Sequence, residues 1–139
     1  MKPLLEQKEN HIKLLVVSVK KGYYMTFGVD SQNIEKIVNS IEKELNLTLE
    51  RGDEKFDEEL YILADNSDHD SRIVQLNILE NEEGVFYLGE RKLNNIRYLI
   101  SCNIIDDLSN SDIYADNISH QLSSIDSVQM LIMDTDEWT

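Results

Sequence analysis

The chain has one cysteine, one proline and five glycines in 139 residues. A single Cys excludes an internal disulfide framework. The lone Pro, at position 3, and the scattered Gly residues exclude Pro-rich or Gly/Ser linkers and any phosphate-cradling Gly loop. Long apolar runs are also missing. Leu14-Leu15-Val16-Val17 is too short for a signal-peptide core and far too short to span a bilayer. The expectation is therefore a cytoplasmic protein with no membrane partner. The three histidines, His11, His69 and His120, stand far apart and form no zinc-ligand spacing with each other or with Cys102. No metal and no cofactor is expected.

Positive charge is scarce: 13 Lys and Arg face 27 Asp and Glu, for a net charge of −14. The imbalance is one-sided. Residues 1–50 are neutral, so residues 51–139 carry all of it, and no Lys or Arg follows Arg97 while eight acids do. Such a field repels nucleic acid and anionic lipid and attracts basic partners. It also keeps a chain soluble without having any other function.

The segment with the clearest pattern is Ile96–Ile104. Ile96, Tyr98, Ile100, Cys102 and Ile104 alternate with Arg97, Ser101 and Asn103, and Leu99 is the one exception. Period two predicts a strand with one buried face. It also places Cys102 inward, as a buried thiol rather than a nucleophile. Something must cover that apolar face, and the rest of the chain supplies candidates.

In chain order, residues 1–11 read as an N-terminal arm. Residues 12–19 and 23–29 read as two strands of a hairpin turning at Lys20-Lys21-Gly22. Residues 31–46 read as a helix, because Ile34, Ile37, Val38, Ile41 and Leu45 form one stripe. Asp30 or Ser31 is the expected N-cap, and Asn46 the left-handed C-cap. A charged loop over 50–59 leads to a strand over 60–64. A polar turn follows over Asp65–Ser71. The next strand covers 72–79, with Val74, Leu76 and Ile78 on one face. Another short strand is expected over 85–88. After the central strand, residues 106–112 read as a polar link and 112–124 as a weaker helix with Tyr114, Ile118, Leu122 and Ile125 as its stripe. A last strand over 127–133 ends in an acidic tail, 134–139. Runs of consecutive strands with two helices predict one α+β domain over 1–139, built on a mostly antiparallel sheet with both helices on one face.

No catalytic constellation emerges. Asp65, Asp68 and Asp70 lack the Gly and distal Glu of a calcium-binding loop, so a solvated turn is expected there. Adjacent acids such as Asp106-Asp107 do not by themselves define a general acid and base. The expected role is non-enzymatic. Two acidic clusters are the candidate partner-binding residues: Asp53, Glu54, Asp57, Glu58 and Glu59, and Asp106, Asp107, Asp112 and Asp116. Tyr61, Tyr87 and Tyr114 are the candidate aromatic anchors near them. Trp138 is expected either to touch a partner or to fold back on the domain.

Helix Ile34–Leu45, then Leu47-Thr48-Leu49-Glu50-Arg51, the strand Leu60-Tyr61-Ile62, the segment Gln75-Leu76-Asn77, and the long strand, helix and closing strand up to Met133 form a recognisable succession. It resembles small bacterial α+β proteins of the toxin-immunity type. Where such proteins tend to carry a Gly-rich, aromatic segment after the Arg, this chain has Gly-Asp-Glu-Lys-Phe-Asp. The resemblance implies an immunity protein that neutralises a cognate toxin, and the charge suits a basic nuclease as that toxin, occluded by an acidic face. The alternative is an adaptor or chaperone-like protein-binding subunit. Monomer and homodimer both remain open.

Overall fold

The computed structural model describes residues 19–52, 59–108 and 112–139. The arm over 1–11, the strand expected over 12–19 (apart from Val19), and Asp53, Glu54, Asp57 and Glu58 lie outside them.

The chain's strands are β1 (Lys20–Val29), β2 (Leu49–Arg51), β3 (Glu59–Leu63), β4 (Ile73–Glu80), β5 (Val85–Leu88), β6 (Arg91–Asn94), β7 (Tyr98–Asp107) and β8 (Val128–Trp138). The central alternating segment is β7, with Ile100, Cys102, Ile104 and Asp106 buried in strict alternation. It begins and ends later than the apolar pattern suggests. Ile96 is buried but precedes the strand, and Asp106 and Asp107, expected in a link, are its last residues. β7 lies between β4 and β1 in a six-stranded sheet of order β2-β3-β4-β7-β1-β8. Every pairing is antiparallel. A separate hairpin pairs β5 with β6, turning through Gly89 at φ +61°. The positive φ explains why Gly stands there.

Two helices pack on one face of the sheet. In α1 (Ile34–Leu45), Ile37, Val38, Ile41 and Leu45 are buried, as the stripe predicts. Each such side chain contributes roughly 1.5–3 kcal/mol when fully buried. The N-cap is Asn33, whose side chain accepts from the Lys36 N–H at 3.2 Å, while Ser31 accepts from the Asn33 N–H one step earlier. Asn46 closes the helix at φ 50°, ψ 56°. In α2 (Ile113–Ser123), Ala115, Ile118 and Leu122 are buried, and Tyr114 packs on the core's edge. These residues meet Tyr23, Met25, Phe27 and Val29 of β1, Leu76 and Ile78 of β4, and Ile100, Cys102 and Ile104 of β7 in one cluster. The α+β class with a mostly antiparallel sheet is as the sequence predicts.

Three local expectations are corrected. Lys20-Lys21-Gly22 is not a turn but the start of β1. These residues pair with Asp107, Asp106 and Ile105 of β7 on one side, and with Trp138, Glu137 and Asp136 of β8 on the other. The stretch expected as an acidic tail is likewise strand, since β8 runs to Trp138. Val74 does not face the core: the register shifts between Ile73 and Gln75, so Ile73 is buried and Val74 is 50% exposed. A bulge of this kind turns one side chain to the opposite face.

Candidate functional site

Three acids of the second cluster, Asp106, Asp107 and Asp112, are paired with the chain's own cations. Lys20 pairs with Asp107, and Lys21 with Asp112 at 3.2 Å. Asp112, at φ 79°, leaves the first turn of α2 without a side-chain cap. Its carboxylate instead accepts from the Tyr23 hydroxyl at 2.8 Å, and its N–H donates back to that hydroxyl at 2.6 Å. The Tyr23 hydrogen bond, then the Lys21 one, holds the Asp112 carboxyl below its ordinary range. Asp106 is buried and receives Arg72 at 3.4 Å. Arg72 also grips Asp70 through two nitrogens, at 3.0 and 2.7 Å, and its guanidinium lies 3.7 Å from the Tyr114 ring centroid. Burial, then the Asp70 charge, raises the Tyr114 hydroxyl to about 12. Asp116 stays exposed on α2.

The other candidates are dispersed. Glu59 accepts from the Asn77 side chain at 2.9 Å. Tyr61 packs against the core with the Arg51 guanidinium 5.5 Å from its ring centroid. Tyr87 is exposed on the separate hairpin. The structure thus brings Asp106, Asp107, Asp112 and Tyr114 to one end of the sheet but does not assemble them into one open acidic face.

Ser67, His69 and Cys102 have structural roles. Ser67 accepts from the Thr48 N–H at 2.8 Å and contacts His69 Nδ1 at 3.0 Å, while His69 Nε2 meets the Ile73 carbonyl at 3.0 Å. A carbonyl only accepts, so Nε2 carries a proton and donates to Ile73. Burial pushes the Cys102 thiol up to about 12, which removes it as a nucleophile at neutral pH. Among the described residues, no three His, Cys, Asp or Glu converge to hold a metal, and no helix is long and apolar enough to cross a membrane.

What the sequence reading missed is the other side of the sheet. No described helix covers it. Alternation through the pairing register puts Lys20, Gly22, Tyr24 and Thr26 of β1, Asn103 and Ile105 of β7, and Asp134, Asp136 and Trp138 of β8 on this face. Tyr24 and Trp138 are 37% and 38% exposed, and both lie over Gly22. A Cβ at Gly22 would come within 2.6 Å of the Tyr24 hydroxyl and 3.1 Å of the Trp138 ring. Farther along, Gly28 lets Ile96 and Leu131 lie flat on the sheet, and Leu131 is the extra residue where the β8 register shifts. Trp138 therefore folds back on the domain and stays partly accessible. The face combines two aromatic rings with the carboxylates of Asp134 and Asp136. Tyr24 and Trp138 are far apart in sequence, so only the β1–β8 register reveals them as neighbours.

Compared with protein families, characterised proteins and solved structures, the chain matches none of them.

Proposed function

We propose that the protein is a non-catalytic inhibitor of the immunity type, cytoplasmic, which binds a basic protein through the face of its sheet opposite the two helices. The observation that carries this reading is the Tyr24–Trp138 pair over Gly22, flanked by Asp134 and Asp136, in a chain of net charge −14. Partly exposed aromatics beside exposed acids suit lysine and arginine side chains, which pack their stems on rings and carry their charge to carboxylates. A basic nuclease is the toxin class this charge fits, and its inhibition would follow from occlusion of the surface that meets nucleic acid.

The test is capture on the immobilised full chain, eluted with rising salt. A strongly basic protein that leaves as salt rises, and whose nuclease activity falls when this chain is added, supports the reading. A partner that is acidic or held regardless of salt contradicts it and points to the adaptor role.

A further inference from the structure

β8 is an edge strand of 11 residues, whereas the opposite edge, β2, has 3. Long edges are usually guarded by charged side chains, Pro or a covering element, because their free N–H and C=O groups template further pairing. β8 contains no Pro, its only charges are the acids Asp134, Asp136 and Glu137, which repel acidic segments but not basic ones, and among the described residues only β1 pairs with it.

The backbone direction along β8 follows from hydrogen bonds at the ends of β1. The Val19 and Val29 carbonyls accept from Leu108 and Arg97 on the β7 side, at 3.1 and 2.9 Å, while the Asp30 N–H donates to Ser127 on the β8 side at 2.8 Å. Alternation then turns the even-numbered residues of β1 toward β8. Through the register, Asp134, Asp136 and Trp138 bond Tyr24, Gly22 and Lys20. The N–H and C=O groups of Met133, Thr135 and Glu137 point away from β1, to the side where no described residue pairs with β8.

We infer that Met133–Trp138 takes up an extended basic segment of a protein partner as an added strand. The inference rests on the basic-partner reading above and specifies how that partner docks. Main-chain bonds would come from Met133, Thr135 and Glu137, and charge selection from Asp134, Asp136 and Glu137. A second copy fits poorly. Antiparallel pairing of two β8 strands about Thr135 sets Asp134 opposite Asp136, and like charges directly opposite are destabilising.

The probe is a synthetic peptide of alternating lysine and valine, titrated into the full chain and into Thr135→Pro. Proline at 135 removes an edge-facing N–H and no bond to β1, so the sheet should survive. The expected result is binding weakened by about tenfold in Thr135→Pro, with slowed amide exchange at Met133, Thr135 and Glu137 in the wild-type complex. The exchange result stands even if the variant fails to fold. Equal binding by a folded variant, absent exchange protection, or no binding of the peptide overturns the inference. So does protection of these amides in the free chain, whether concentration-independent (the chain's own residues cover the edge) or concentration-dependent (copies pair). If a basic partner is captured equally by wild type and Thr135→Pro, the edge fails while the basic-partner reading stands.

Discussion

Replacing Arg72 with Met tests whether the sheet-end acids depend on internal cations. Methionine keeps a long side chain over Tyr114 and removes the charge. Arg72 and Asp70 are 40% and 38% exposed, so their pair contributes about 0.2–1 kcal/mol after solvent screening. Asp106 is different, because its side chain is only 7% exposed. Orphaning one partner of a fully buried pair costs about 3–5 kcal/mol. Here the contact is 3.4 Å long and Asp106 also accepts from the Asp107 N–H at 2.8 Å, so ~1–2 kcal/mol is expected. The total loss is about 1–3 kcal/mol, with roughly 3–5 °C in Tm per kcal/mol for a chain of this size. Urea denaturation of wild type, Arg72→Met, Asp106→Asn and the double variant measures it. The double variant should recover ~1 kcal/mol, because a neutral amide needs no cation. A coupling below about 0.3 kcal/mol would refute the reasoning.

The acid limb gives a second check. The hydrogen bond from Arg72 holds the Asp70 carboxyl below its ordinary value of 3.8. A lowered folded value means stability present above the unfolded pKa and lost as pH falls through the folded one. Arg72→Met should therefore flatten the loss of stability below pH ~4.

Other substitutions probe separate parts. Gly28→Ala sets a Cβ 3.0 Å from Leu131 and 3.1 Å from Ile96, and should cost about 1–3 kcal/mol in urea denaturation. Asn33→Ala removes the α1 cap and should cost ~1 kcal/mol, with the loss smaller for Asn33→Ser. Cys102 should resist a thiol reagent in native buffer and react fully in urea, at a rate set by global opening; fast native labelling would contradict its burial. Stability should also fall as pH rises from about 10 toward 12, because Tyr114 is protonated in the fold over a range where it ionises when unfolded.

Where apolar periodicity is strong, the fold is legible in the sequence. The alternation in β7 and the α1 stripe specify their own buried faces, and both helices lie where their stripes place them. The polar strands are not legible. Asp134–Trp138 has few strand-favouring residues, and Lys20-Lys21-Gly22 resembles a turn; each is extended because the other is, with Asp107 and Asp112 holding the two lysines. β6 has no alternation and is defined only by its hairpin partner. Local sequence carries no sign of the bulge that turns Val74 outward. The candidate face escapes a sequence reading for the same reason: Tyr24 and Trp138 become neighbours only through long-range register.

The most direct test of the central claim compares capture of the basic partner by two charge-matched variants of the full chain. One carries Asp134→Asn, Asp136→Asn and Trp138→Ala on the sheet face opposite the helices. The other carries Asp116→Asn and Asp126→Asn, which remove two exposed acids in and just after α2, with Tyr87→Ala on the hairpin. Loss of capture by the first variant and retention by the second is the predicted result. Equal retention by both would show that the face opposite the helices is not where the partner binds.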